Sequence, residues 1–182
     1  MPTGTGITTD TPANLIVGAG VLLRDHAYLG ATIDNNLFAV ERTLFTPDLN
    51  GSMYDLQGTD YISKSRPRIE ATLPEVGASV FGSSLPGLGV TTPAPGMTVI
   101  GDTGTRRVAD ADYHDYELDV PRLNGGQFQF EVDNAINTGS FQGELQDSGL
   151  FAPRLVLNGR ASVDQLLAGT SPWRIRILDV AS

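Results

Sequence analysis

Hydrophobic and polar residues alternate in several short segments of the chain, with the two-residue period of a β-strand that has one buried face. The alternation is clearest over Tyr113–Val120 and Gln127–Asp133. Between them, Asn124-Gly125 favours a hairpin turn, because both residues tolerate a positive φ. We therefore predict an antiparallel hairpin over 113–133. Similar patterns predict further strands at Asn14–Asp25, Leu37–Phe45, Tyr61–Leu73, Pro153–Leu157 and Trp173–Leu178.

The segments between these strands predict loops and one helix. Pro74–Ser84 is the only stretch whose spacing and early glutamate indicate a helix. Residues 46–59 are rich in turn-forming residues, and residues 85–104 are rich in proline and glycine, so both are predicted as loops. Pro67 inside the Tyr61–Leu73 strand favours an edge or a bulge. Residues 1–13 are predicted as a flexible arm.

Seven or so short strands with a single helix predict a mainly β fold, a β-sandwich or barrel with one short flanking α-helix. The chain has 182 residues, enough for one domain of ordinary size. No repeat or composition shift divides it, so we predict a single domain over residues 14–182, preceded by the arm.

Composition narrows the classes of function. The 12 basic side chains against 21 acidic ones give a net charge of -9, which argues against holding nucleic acid or an anionic membrane by charge. The chain has no cysteine and two histidines, which leaves little material for a metal centre or a nucleophilic active site. We expect no enzymatic activity, no catalytic residue, no metal and no cofactor. The most apolar run, Leu15–Leu23, is too short for a transmembrane helix, and no signal peptide is visible, so we expect a soluble protein made in a cytoplasm.

Three motifs are candidates for a ligand-binding or catalytic site. The run Gly18-Ala19-Gly20 after an apolar strand is similar to a dinucleotide-binding turn, but the position of the third glycine holds Leu23. We favour the interpretation that these glycines allow close backbone packing. The run 82–86, Gly-Ser-Ser-Leu-Pro, lacks the last glycine of a hydrolase elbow.

The third motif is a cluster of acidic residues and a histidine in six positions, which could hold a hard cation such as Ca²⁺. It lacks the glycine and the distal glutamate of an EF-hand loop, so a solvated acidic entry to a strand is the favoured interpretation. The members of this cluster are Asp110, Asp112, His114 and Asp115.

The order of the segments resembles the major tail protein, or tail tube protein, of long-tailed (siphovirus-type) bacteriophages. The apolar opening Asn14–Leu22 is followed by Leu29-Gly30-Ala31-Thr32 and by a charged strand around Phe38–Arg42. A polar loop then leads through residues 58–61 into Ile69–Val76. A last strand carries residues 172–177, Pro-Trp-Arg-Ile-Arg-Ile. The resemblance covers residues 14–81 best and 113–178 more loosely.

The resemblance implies a structural virion protein that forms homohexameric rings, which stack as a helical assembly into the tail tube. Genomic DNA would pass through this tube during ejection without specific binding. The implied partners are other copies of the chain, the tape measure protein, the tail terminator and the distal tail protein. The implied location is the virion tail, after synthesis in the host bacterial cytoplasm.

Two sets of residues fit that role. An acidic wall would repel phosphate, and two strand faces would supply it if they point inward, although an ordinary solvated face is an equally good interpretation of either strand. Apolar residues in the 46–59 loop would suit contacts between stacked rings. The candidate lumen residues are Glu117, Asp119, Glu131 and Asp133, and the candidate ring-stacking residues are Leu49, Met53, Tyr54 and Leu56.

Several alternatives stay open on the sequence. The chain could be the tube protein of a contractile tail or of a secretion or injection system. It could also be another virion β-sandwich, such as a tail terminator or a capsid decoration protein. A carbohydrate-binding sandwich is less favoured, because one Trp and five Tyr form no evident aromatic platform.

Overall fold

The structure is a computed structural model that describes residues 19–47, 58, 60–74, 80, 86–104, 107–123, 125–139 and 152–179, with the backbone alone for residues 34 and 35. The described part is mainly β and antiparallel, as predicted. A 3-10 turn at Asp110–Asp112 precedes the seventh strand. The strands are β1 Val21–Arg24, β2 Ala27–Ala31, β3 Ile33–Phe45, β4 Tyr61–Thr72, β5 Leu88–Ala94, β6 Met97–Asp102, β7 His114–Pro121, β8 Gln127–Asn137, β9 Arg154–Asn158 and β10 Trp173–Leu178, and helix α1 spans Val163–Ala168.

Strand β8 connects the two halves of a β-sandwich. The strands follow the order β2-β1-β7-β8-β9-β4-β3, and β10 pairs with β8 beside this path. Residues 127–132 of β8 lie between β7 and β10, whereas Ile136 and Asn137 pair with β9. Between these two parts Asn134 adopts a φ of 47°, and the register against β7 shifts. This irregularity bends β8, so that the β2-β1-β7-β8-β10 half and the β9-β4-β3 half face each other.

The core lies between these halves and follows the predicted alternation. Tyr116, Leu118 and Val120 of β7 are almost completely buried, as are Ile69 and Ala71 of β4. Every second residue of these strands points inward, because successive side chains of a strand alternate between the two faces. The alternation therefore identified the buried face correctly.

An aromatic cluster joins the two halves at one end of the core. The ring of Phe38 on β3 stacks on that of Phe130 on β8, with centroids 5.0 Å apart, and lies 6.0 Å from the ring of Trp173 on β10. Such offset and tilted pairs add to the stabilisation that comes from apolar burial alone. This contact between β3, β8 and β10 closes the sandwich.

The β7–β8 hairpin is confirmed. Its turn contains Gly125 with a φ of 86°, a conformation that glycine adopts at low cost. The backbone N–H of Gly125 donates to the carbonyl of Arg122, and the N–H of Arg122 donates to Gly126. Asn124 lies outside the described residues.

Residues 85–104 were predicted wrongly as a loop. Strands β5 and β6 form a hairpin there, and the turn between them contains Gly96 with a φ of 77°. Proline and glycine content suggested a loop, yet the β-branched residues Val90, Thr91, Val99 and Ile100 pair across the two strands. In the described residues this hairpin forms its own two-stranded sheet, which explains why proline is tolerated in it.

Helix α1 lies in a segment for which no helix was predicted. Ser162 caps α1 by accepting a hydrogen bond from the backbone N–H of Gln165, whose side chain accepts from the N–H of Ser162. Gly169 ends the helix in the left-handed conformation. These capping residues are a sequence signal for a short helix, which was missed because the segment carries little apolar periodicity. Of the predicted 74–84 helix only Pro74 and Val80 lie within the described residues; Val80 is helical, as predicted, and is buried in the core.

The first predicted strand is shorter than expected in its described part: β1 begins at Val21, and residues 19 and 20 precede it.

Pro67 lies where β4 has a strand neighbour on one side only. Strand β4 pairs with β9 over Arg68–Thr72, whereas residues 61–67 pair with β3 alone, as the edge interpretation expects, and no register shift occurs at Pro67. The carbonyl of Pro67 points away from β3 and accepts a hydrogen bond from the N–H of Gly159, just beyond the β9 pairing. The nitrogen of Pro67 points to the same side, so the missing N–H of proline removes no hydrogen bond to β3. The predicted arm, residues 1–13, lies outside the described residues.

Candidate assembly surfaces

The four candidate lumen residues share one face of the sheet. Glu117 on β7 lies directly opposite Glu131 on β8, and Asp119 lies opposite Gln129. Asp133 is two residues beyond Glu131 on the same strand, and all four carboxylates lie on the face away from the hydrophobic core. The structure thus places them together, and their position in a tube lumen stays a prediction.

Strand β10 supplies two arginines that bind two of these carboxylates. The Nε atom of Arg174 contacts Glu131, and its guanidinium also binds Asp133 Oδ1 at 2.9 Å. Arg176 Nε lies 2.9 Å from the other carboxylate oxygen of Glu131. The carboxylates raise the pKa of Arg174 above its usual value, against the opposing effect of burial, so this guanidinium stays charged. Glu131 and Asp133 are therefore neutralised within the subunit and are nearly buried.

The remaining two carboxylates interact with each other. Burial raises the pKa of the Asp119 carboxyl to about 6, and the hydrogen bonding and negative charge of Glu117 add to this shift. Glu117 also accepts a 2.7 Å hydrogen bond from the Gln129 side-chain amide. His26 lies 3.7 Å from Glu117 on the same side. Near neutral pH this part of the face carries the unneutralised negative charge.

Among the described residues of β7, β8 and β10, this face presents no free arginine. Its two guanidiniums are engaged by carboxylates that are themselves 8% and 11% exposed, and the four carboxylates exceed the two arginines in number. A phosphate that approached Arg174 or Arg176 would compete with an existing ion pair. The chemistry of this face is thus repulsive or neutral toward polyanions.

A second surface is the ribbon formed by the outer parts of β3 and β4 (residues 41–45 and 61–66). From here on we call this ribbon the arm; it is separate from the predicted N-terminal arm, residues 1–13. Every described residue of the arm is exposed. At its tip, Leu44 lies opposite Ile62 and Phe45 opposite Tyr61, and these four apolar side chains are 55 to 63% exposed. Contiguous exposed apolar residues typically mark an interaction site.

The candidate ring-stacking residues Leu49, Met53, Tyr54 and Leu56 lie outside the described residues. They follow directly from the tip of the arm in sequence, between residues 47 and 58. The hydroxyl of Thr46 donates a 2.5 Å hydrogen bond to the Asp60 carboxylate, which holds the two ends of this connection together.

Unpaired strand edges form the third surface. Among the described residues, β10 pairs only with β8, and β3 pairs only with β4. The side chains of Ile175, Ile177 and Leu178 on β10 are 42 to 57% exposed. An exposed edge that carries apolar residues is a template for pairing with another chain.

The acidic cluster at 110–115 does not converge on a cation. Asp112 accepts from the N–H of Ala109 in its own 3-10 turn, and His114 Nδ1 pairs with Asp25 at 2.7 Å. Asp115 accepts from the backbone of Asn134. No group of three or more potential ligands lies close enough to bind a metal among the described residues. These side chains stabilise the local turns.

Gly20 confirms the packing interpretation of the glycine motif. A Cβ at this position would lie 2.3 Å from the carbonyl oxygen of Asp119. The backbone N–H of Gly20 donates to the Thr32 hydroxyl, and its carbonyl accepts from the Thr32 N–H. Only a residue without a side chain fits this approach. Gly18 lies outside the described residues.

Reasoning from the sequence did not identify Arg174 and Arg176 as functional residues, although they set the charge of the polar face. The signal was present in the alternation of Arg174 and Arg176 with Ile175 and Ile177, but the partners of these arginines are at least 41 residues away in sequence.

No protein-family model matches the chain, and no curated protein matches it significantly. In the part of the chain that is described, none of the helices has the length and apolar character needed to span a bilayer.

Proposed function

We propose that the protein is a tail tube subunit of a long-tailed bacteriophage, which polymerises as stacked hexameric rings into the tube that conducts DNA at ejection. The observation that carries the proposal is the arm, whose tip carries four contiguous exposed apolar side chains. An isolated subunit gains nothing from this exposure, whereas an assembly buries it.

The open strand edges support the ring. Pairing of β10 with an edge strand of a neighbouring copy would continue the sheet from subunit to subunit. The exposed apolar residues Ile175 and Ile177 would then be covered. A closed ring of this kind leaves no free edge, which is the general solution to the aggregation hazard of edge strands.

The polar face of β7, β8 and β10 supports a conduit that does not retain DNA. We propose that this face lines the bore. Its carboxylates outnumber its arginines, and both arginines are engaged within the subunit. DNA phosphates would therefore meet no unpaired cation along this surface. The tape measure, terminator and distal tail proteins are the further partners that such a tube requires.

Electron microscopy and sedimentation velocity of the purified full chain test this proposal. We expect rings or tubes at high protein concentration. The double variant Phe45→Ser/Ile62→Thr removes apolar surface from the arm tip and should give a folded subunit that no longer polymerises. A control, Leu123→Ser, removes a single apolar side chain that is 59% exposed beside the β7–β8 turn and should leave polymerisation intact.

The loop itself is tested by deletion of residues 48–57, which should leave a folded subunit without tubes. Tubes of normal length from either the deletion or the arm-tip variant would exclude the stacking role of the arm. Wild-type protein that remains monomeric at every concentration would contradict the proposed function as a whole.

A further inference from the structure

A groove on the outer face of the β9-β4-β3 half collects arginines on a chain whose acidic side chains outnumber its basic ones, 21 to 12. We call it the arginine groove. It has a volume of about 400 Å³, and it lies away from the face proposed for the bore. Its lining residues are Glu41, Arg66, Arg68, Thr138, Asn158 and Arg160.

The strand register explains why these residues meet. Arg66 and Arg68 point to the same side of β4, because they are two residues apart. Glu41 on β3 lies opposite Arg66, and Asn158 on β9 lies opposite Arg68. Arg160 follows β9 by two residues and reaches the same groove.

Two of these arginines have no acidic partner among the described residues. The side chain of Arg66 makes neither an ion pair nor a hydrogen bond with any of them, and the guanidinium of Arg160 donates only to the Gly159 carbonyl. Arg68 is the exception, since it lies 3.1 Å from Glu70 and 3.9 Å from Glu41. The groove therefore holds guanidinium donors that no described residue satisfies.

We propose that the arginine groove binds carboxylate side chains of a second copy of this chain during assembly. Planar guanidiniums bind carboxylates in a bidentate fashion, which gives both strength and orientation. With 21 acidic side chains and a net charge of -9, another copy presents carboxylates in excess. Charge complementarity thus favours a like chain as the partner.

The position of the groove also favours this partner. Glu41 and Arg66 belong to the base of the arm, so a neighbour that covers the apolar tip would lie close to the groove. The inference rests on the proposed function, because its partner is another subunit. It adds the chemistry that orients the neighbouring copy.

The test compares two charge reversals of equal size. Arg66→Glu changes the groove, and Arg107→Glu changes an exposed arginine outside it by the same charge. The critical concentration for polymerisation is measured by sedimentation in 50 and 500 mM NaCl. We expect Arg66→Glu to raise it about tenfold or more in low salt and to reduce its salt dependence. Arg107→Glu should stay within about twofold of the wild type.

The outcomes separate this inference from the proposed function. Wild type that polymerises, with Arg66→Glu polymerising equally well, would overturn the groove and leave the tube. Wild type that never polymerises would overturn both. Circular dichroism must show that each variant is folded.

Two further measurements address other occupants of the groove. Fluorescence anisotropy with a short DNA duplex should show no binding that depends on Arg66; binding that the reversal abolishes would identify a phosphate site instead. Urea unfolding of the monomer should be little affected by Arg66→Glu. A loss of monomer stability with unchanged polymerisation would assign the groove to carboxylates of the same chain, which also overturns the proposal.

Discussion

Replacement of Arg174 by alanine tests the electrostatic design of the polar face. This side chain binds both Glu131 and Asp133, whose carboxylates are nearly buried, while the guanidinium itself is about half exposed. After the substitution each carboxylate keeps one partner, since Arg176 still contacts Glu131 and Gln165 still donates to Asp133 at 2.7 Å. The carboxylates would then be buried with incomplete compensation.

The magnitude follows from two limits. Breaking a fully buried ion pair costs about 3 to 5 kcal/mol, whereas an exposed pair contributes about 0 to 1 kcal/mol. Arg174 falls between these limits, because its carboxylate partners are buried and its own side chain is 53% exposed. We therefore expect Arg174→Ala to lower the free energy of unfolding by about 2 kcal/mol.

Arg176→Ala is the matched control. Arg176 lies on the same strand, is 54% exposed and makes one ion pair where Arg174 makes two. Its loss should cost about half as much, roughly 1 kcal/mol. Both values are measured by urea unfolding, with fluorescence of Trp173, the sole tryptophan, as the probe.

The result that would refute this reasoning is equal stability of the two variants. A second check uses the combination of Arg174→Ala with Glu131→Gln and Asp133→Asn. Because this variant removes the charges that the arginine compensates, it should recover most of the lost stability. A loss that persists in the combined variant would show that Arg174 acts by packing rather than by charge.

The other predictions concern a carboxyl group, a close approach and a helix cap. Because the pKa of the Asp119 carboxyl is about 6 in the folded state, against an ordinary value of 3.8, stability should fall as pH rises from 4 to 6. Asp119→Asn should therefore stabilise by about 1 kcal/mol at pH 7.5, a value discounted for partial exposure, and by almost nothing at pH 4; equal gains at the two pH values in denaturant unfolding would refute this. Gly159→Ala would place a Cβ 2.3 Å from the Val132 side chain and should lower the free energy of unfolding by about 2 kcal/mol. An unchanged melting temperature in thermal unfolding would contradict this close contact between Gly159 and Val132. Ser162→Ala removes the cap of α1 and should cost about 1 kcal/mol, seen as faster hydrogen exchange at the Gln165 amide; unchanged exchange would argue against the cap.

Local patterns predicted most of the individual strands and their faces. The alternation over β7 and β8 identified which side chains enter the core, and Gly125 marked the hairpin turn. These features are readable because the two-residue period of a strand and the φ of a turn depend on a few adjacent residues. The capping residues of α1 were equally local and could have been found by the same reasoning.

Residues 85–104 show where local composition misleads. The proline and glycine content there predicts a loop, yet β5 and β6 pair along most of their length. An isolated ribbon has free edges, so it tolerates residues that a central strand excludes. Composition alone misleads here, because the tolerance of a strand for proline depends on whether other strands pair with it on both sides.

The candidate surfaces depended on contacts between distant parts of the chain. Four acidic residues could be assigned to one face from their spacing, but the neutralisation of Glu131 and Asp133 by β10 could not, because Arg174 and Asp133 are 41 residues apart. The arginine groove likewise assembles β3, β4 and the residues after β9, from Glu41 to Arg160. Side-chain alternation is a property of each strand alone, whereas the pairing order that brings charges together arises from the burial of all strands at once.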